Sequence, residues 1–317
     1  MPTKPKRLQP GDTIAIVSPS SPPPNPKNID RAVEMLKALG YRVKVAANAR
    51  KRHGFLAGSD RERAADLMRA FTDRDVKAIL CVRGGHGATR LLPLLDYAAI
   101  RRNPKIFVGY SDITALHCAL LTKANLVTFH GPMLNADFVV QGFPKFIRES
   151  FFRTLAQASA PGGIRQGYKA ETVSVLRGGV VRGELVGGNL SLLCSLIGTP
   201  WLPSFRRKIL FLEDVNEAPY RVDRKLTHLL NTGLLQQVAG VAVGLCADCE
   251  DATAMRRGEF RQTLDGVLRE RLLPLKVPVV KGLPFGHVPM NATLPVGVRV
   301  TLDGRAGDLI LDASVVQ

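Results

Sequence analysis

The chain predicts an α/β fold: an N-terminal doubly wound, mostly parallel sheet domain, then a second, more β-rich α/β domain. Three observations predict it. Short apolar runs rich in β-branched residues alternate with helix-period stripes up to about residue 140. Between residues 141 and 175 that rhythm stops, and Pro161-Gly162-Gly163 interrupts the chain. Beyond it, strand-like runs outnumber helical ones. A length of 317 residues suits two domains, each able to bury a core. The expected boundaries are 1–140 for the first domain, 141–175 for a linker and 176–317 for the second.

Residues 13–17 form an apolar strand, followed by a Ser/Pro-rich loop over 18–26. Ile29, Ala32, Val33, Leu36 and Leu39 mark a helical face that Gly40 terminates. Residues 41–45 make the next strand. Ser59-Asp60-Arg61-Glu62 is a capping box, in which serine and glutamate satisfy each other's backbone N–H groups, and it opens a helix to about Phe71. A third strand at 78–82 runs directly into Arg83-Gly84-Gly85-His86-Gly87. Residues 105–109, after Pro104, read as a buried strand. Residues 112–124 read as a helix with Ile113, Leu116, Leu120 and Leu121 on one stripe, and 126–129 as a strand. This βαβα order requires a parallel sheet with helices on both faces, and ligands gather beyond the carboxyl ends of such strands. In the second domain, strands are expected at 184–186, 208–212, 238–244 and 277–281, helices at 190–197 and 260–273, and a closing hairpin at 297–302 and 309–311.

Composition sets the surroundings. The five cysteines, Cys81, Cys118, Cys194, Cys246 and Cys249, are an odd number, and three lie in apolar runs. That argues for reduced thiols in a cytoplasmic protein. No signal peptide and no membrane-spanning stretch is visible, so no membrane partner is expected. A net charge of +17 favours nucleic acid in general, yet the basic residues are scattered and only 6% of residues are aromatic. No nucleic-acid partner is expected; a basic enzyme acting on a carboxylate-rich substrate accounts for the charge equally well.

Several residues could carry chemistry. Gly109-Tyr110-Ser111-Asp112 separates a strand from a helix, and a serine on so tight a turn points its hydroxyl out of the sheet, as in a nucleophile elbow. Ile113 stands where that pattern has a second glycine, and Ser111 could instead cap the helix. Gly84 and Gly85 allow backbone N–H groups to approach a ligand closely, where they could hold a phosphate or form half of an oxyanion hole, or they make only a tight turn. They do not fit a dinucleotide fingerprint. Glu213 and Asp214 end an apolar strand, where a carboxylate can orient a histidine or cap the next helix. His287, between Gly286 and Pro289, is a candidate base, and His130 competes with it. Cys246-Ala247-Asp248-Cys249 has metal or redox spacing but lacks a second Cys/His pair nearby. Together, a hydroxyl, an imidazole, a carboxylate and N–H donors are the parts of a serine hydrolase.

The chain resembles the LD-carboxypeptidases, a serine peptidase family that includes murein tetrapeptide carboxypeptidases and the microcin C immunity peptidase. The segments that carry the resemblance run in order along nearly the whole chain. They are Arg83-Gly84-Gly85 with Gly87 and Arg90-Leu91-Leu92, Gly109-Tyr110-Ser111-Asp112, Phe129-His130-Gly131-Pro132 and Gly187-Gly188-Asn189-Leu190. Leu212-Glu213-Asp214, Pro219-Tyr220-Arg221 with Asp223-Arg224, Gly286-His287 and Leu294-Pro295 with Gly297 complete them. The resemblance implies a catalytic triad of Ser111, Glu213 and His287, with Glu213 preferred to Asp214 or Glu217, and an oxyanion hole from the N–H groups of Gly85 and Asp112. It implies release of a terminal D-amino acid from a murein peptide, with no metal or cofactor, in a homodimer. An aminoacyl-nucleotide substrate is the alternative within the family, and a non-catalytic phosphate- or nucleic-acid-binding protein the alternative outside it. His86 stands where the family is expected to have tyrosine.

Overall fold

The computed structural model describes residues 1–168, 173–250 and 262–317. Its first half builds five parallel strands, β1 (Thr13–Val17), β2 (Arg42–Val45), β3 (Val76–Cys81), β4 (Ile106–Gly109) and β5 (Thr128–His130). Every residue of β1 and β4 is buried, as continuous apolar runs require when helices cover both faces. The helices are α1 (Lys27–Ala38), α2 (Asp60–Thr72), α3 (Tyr97–Arg102) and α4 (Thr114–Ala124). The capping box at the start of α2 is formed as expected: Glu62 N–H donates to Ser59 Oγ, and Glu62 Oε2 accepts from Ser59 N–H. Strand order is β2-β1-β3-β4-β5, so the connectivity reverses between β1 and β3. Loops leaving those two strands diverge and leave a crevice, the usual ligand position in an open α/β sheet.

The segment expected as a linker, 141–175, carries the helix α5 (Lys145–Leu155), which buries Phe146, Ile147, Phe151 and Leu155. Phe143 stacks on Phe138 at 3.9 Å between ring centroids, and Phe151 meets both rings edge-on at 5.8 Å. Aromatic burial therefore anchors this stretch, and the glycines at 162–163 interrupt only its second part.

The second half contributes β6 (Gly162–Gly163), β7 (Ser174–Arg177), β8 (Val180–Asn189), β9 (Ile209–Glu213), β10 (Gly240–Leu245) and β11 (Val279–Gly286). Then come β12 (Leu294–Val296), β13 (Arg299–Asp303) and β14 (Asp308–Leu311). Eight of them form one sheet in the order β6-β14-β13-β8-β9-β10-β11-β7, with β8 to β11 parallel and the outer strands antiparallel. Strand β12 does not join it. It pairs antiparallel with β5 and forms the sixth strand of the first sheet. Helices α6 (Leu190–Ser195), α7 (Pro219–Asn231) and α8 (Leu264–Leu272) connect the parallel strands. Of the helix expected at 260–273, Phe260 and Arg261 lie outside the described residues.

Candidate active site

Ser111 occupies the corner after β4 with φ +64°, in the left-handed region. A non-glycine residue there costs roughly 1–3 kcal/mol, and such strain typifies functional turns. Ser111 caps no helix: residues Ser111–Ile113 make one 3₁₀ turn, α4 begins at Thr114, and neither start carries a side-chain cap. The corner is supported from below by His117 on α4, whose Nε2 lies 2.8 Å from the Gly109 carbonyl and whose Nδ1 lies 2.9 Å from Thr128 Oγ1. Burial lowers the His117 pKa to about 4.

The glycine turn after β3 abuts this corner. A Cβ on Gly84 would lie 2.8 Å from Ser111 Cβ, 3.0 Å from Ser111 Oγ and 3.2 Å from the Asp112 nitrogen, so only glycine permits the approach. Ser21, in the loop after β1, closes the far side: its N–H donates to the Gly84 carbonyl at 3.3 Å, and its hydroxyl accepts from His86 N–H at 3.1 Å. The Asp112 carboxylate accepts from Ser20 Oγ at 2.6 Å and from Ala88 N–H at 2.8 Å. Burial raises its pKa, against the opposing effect of those two bonds. One buried carboxylate thus ties the loops after β1, β3 and β4 together. Asp112 N–H belongs to the first N–H groups of a helical turn, which have no partner within it.

Glu213 ends β9 and is fully buried; His287 follows the last residue of β11. Their contact is direct, with Nδ1 of His287 2.7 Å from Oε2 of Glu213. That bond assigns the proton to Nδ1 and leaves Nε2 as the basic nitrogen. The His287 ring packs edge-on against Tyr110, the residue before Ser111, with centroids 4.9 Å apart. Burial works to lower the His287 pKa, but the Glu213 hydrogen bond and the charges of Glu213, Asp214 and Asp137 outweigh it, and the pKa is raised. Asp137, in the π-helical segment Leu134–Val140, is itself buried. Burial lifts its pKa to about 7, although Met133 N–H, His287 and Tyr110 oppose the shift.

The competing residues are otherwise engaged. Asp214 accepts from Asn189 Nδ2 at 2.9 Å and from Ser191 Oγ at 2.7 Å, and Lys225 pairs with Glu217 at 2.9 Å. His130 is buried among Tyr110, Phe211 and Phe285, and neither ring nitrogen has a hydrogen-bond partner among the described residues. Burial pushes its pKa well below the ordinary value, so it is a poor proton acceptor. The Cys246 thiol is pushed up by its hydrogen bond to Cys249 and by burial, and no group of three metal-ligating side chains occurs among the described residues. His86 is exposed and meets Phe55 edge-on at 6.1 Å between centroids.

Four contributors were given no role by sequence reasoning. Ser20 and Ser21 lie just past the carboxyl end of β1, a position that itself signals ligand proximity. Asn189 joins the halves, donating its N–H to Thr114 Oγ1 at 3.0 Å. Tyr110 gave no signal beyond its place beside Ser111.

Residues 14–131 match the LD-carboxypeptidase N-terminal domain and residues 182–302 the LD-carboxypeptidase C-terminal domain. The chain is 38% identical over 312 residues to a probable murein peptide carboxypeptidase of Bacillus subtilis, covering 98% of this chain and 95% of the relative. It is 30% identical to the murein tetrapeptide carboxypeptidase of Pseudomonas aeruginosa, with 96% and 97% covered. Among solved structures, muramoyltetrapeptide carboxypeptidase from Oxalobacter formigenes superposes with a TM-score of 0.82 at 35% identity, covering 95% and 98% of the two chains. A structure of MccF in complex with glutamyl sulfamoyl guanosine superposes with a TM-score of 0.88 at 28% identity over all of both chains. The chain belongs to the LD-carboxypeptidase family of serine peptidases.

Proposed function

We propose that Ser111, His287 and Glu213 form the catalytic triad of a carboxypeptidase that releases terminal D-alanine from murein tetrapeptide. The Glu213–His287 hydrogen bond beside the strained Ser111 corner is the observation that carries this reading. His287 Nε2 takes the Ser111 proton as the hydroxyl oxygen attacks the scissile carbonyl, and Glu213 stabilises the resulting imidazolium. The N–H groups of Gly85 and Asp112 hold the tetrahedral oxyanion, a role in which loss of one donor costs about 10²–10³ in kcat. His287 returns the proton to the departing amine of D-alanine. Water, deprotonated by the same imidazole, then releases the acyl group from Ser111. No step needs a metal or cofactor.

The proposal extends to a homodimer acting in the cytoplasm, with the nucleophile in a domain over 1–140 and the acid–base pair in one over 176–317. Among the described residues no helix is long and apolar enough to cross a membrane. A second reading, hydrolysis of an aminoacyl nucleotide, is favoured by the likeness to MccF. The test is mass spectrometry of L-Ala-γ-D-Glu-meso-diaminopimelate-D-Ala incubated with the protein or with Ser111→Ala. Loss of D-alanine with the unsubstituted protein alone supports the murein reading. An intact peptide, with cleavage of an aminoacyl sulfamoyl nucleotide in the parallel tube, supports the second.

A further inference from the structure

We propose that Arg83 binds the terminal carboxylate of the substrate and so confines the enzyme to the end of a peptide. This inference rests on the carboxypeptidase reading. An enzyme that removes one residue meets a free carboxylate within one residue of the scissile carbonyl. Leaving that carboxylate unpaired in a half-buried cleft would be costly, so a cation belongs there.

The cations around the site are mostly committed. The Arg63 guanidinium is buried and bonds the Pro19 and Gly87 carbonyls and Asp60. Arg90 also pairs with Asp60, at 2.8 Å, and Lys225 is held by Glu217 and Asp214. Arg224 stacks over the half-exposed Tyr220 ring, 5.6 Å from its centroid, and Arg221 shares that ring.

Arg83 differs from all of these. It is half-buried, directly precedes the glycine that touches Ser111, and has no carboxylate partner among the described residues. Among the described residues its guanidinium makes one hydrogen bond, to the Pro22 carbonyl at 3.5 Å, beyond the usual N–H···O range. It lies close enough to Tyr110 for its charge to act on that hydroxyl, opposing the upward push of burial. An arginine with free donors at this point matches a carboxylate through its planar fork, bidentately.

The test compares kcat/KM of the full-length protein on the tetrapeptide acid and on its C-terminal amide. The unsubstituted protein is expected to prefer the acid by about 10- to 100-fold, the worth of charge-assisted hydrogen bonds. Arg83→Gln is expected to bring that ratio to within about threefold, chiefly by raising KM for the acid. Arg83→Lys, which keeps the charge without the fork, is expected to fall between, and Arg224→Gln to keep the full ratio. A ratio unchanged in Arg83→Gln, or in Arg83→Lys should the glutamine variant not fold, overturns the proposal. Equal use of acid and amide by the unsubstituted protein overturns it too while leaving the carboxypeptidase reading intact. Failure to release D-alanine from the acid and D-alaninamide from the amide overturns both.

Discussion

His287 carries two opposing influences, and their balance sets a pH dependence. Burial disfavours the imidazolium, and the Glu213 bond with three carboxylate charges more than compensates. The acidic limb of kcat/KM should therefore lie above the range of an unperturbed histidine, because the base must be neutral to take a proton. Glu213→Gln leaves burial to dominate, so that limb should move to lower pH while kcat falls about 10³- to 10⁴-fold through loss of the correct tautomer. A pH–rate profile checks both; an unmoved limb would assign it to another group. Asp137 allows a matching test of stability. Its folded pKa of about 7 lies above the ordinary carboxylate value of 3.8, so the native state holds a proton that the unfolded chain has released. The associated stability is full below the unfolded pKa and is lost as pH rises towards 7. Asp137→Asn should flatten the fall in melting temperature between pH 4 and 7.

Gly286 shows why the end of β11 can carry His287. Its φ is +115°, and a Cβ there would lie 2.8 Å from the Leu245 carbonyl oxygen and 3.1 Å from Glu213 Cβ. Gly286→Ala should destabilise the protein by roughly 1–3 kcal/mol in chemical denaturation and depress activity, since relief of the clash displaces the acid–base pair. By contrast, Ser59→Ala at the start of α2 removes the capping serine and should cost about 1 kcal/mol in chemical denaturation. These elements also show what the sequence makes legible. The α2 start, the strand ends at Gly109 and Glu213, and the glycine turn at 84–85 were readable because each depends on signals a few residues apart. Helix α5 was not, since Phe146 and Phe151 gain their meaning only against Phe138 and Phe143, and the turn residues nearby suggested a loop. The contact of Asn189 with Thr114 was equally hidden, because it joins strands and helices of different sheets.

On the scale of the molecule, the two sheets are not built from separate halves of the chain. Strand β12 passes from the second half to cover β5, pairing Leu294 with His130 and Val296 with Thr128. A chain ended at Thr293 would leave β5 as an open apolar edge and should elute as aggregate in size-exclusion chromatography. The family resemblance ran through the sequence from end to end, but the route of β12 did not, since Leu294-Pro295-Val296 suits either sheet. That route has a consequence during synthesis. A ribosome delivers the nucleophile's sheet early, yet the strand that finishes it emerges only after His287. The growing polypeptide thus acquires its closed first sheet and its complete hydrolytic machinery at nearly the same moment, and a translation product interrupted before His287 has neither.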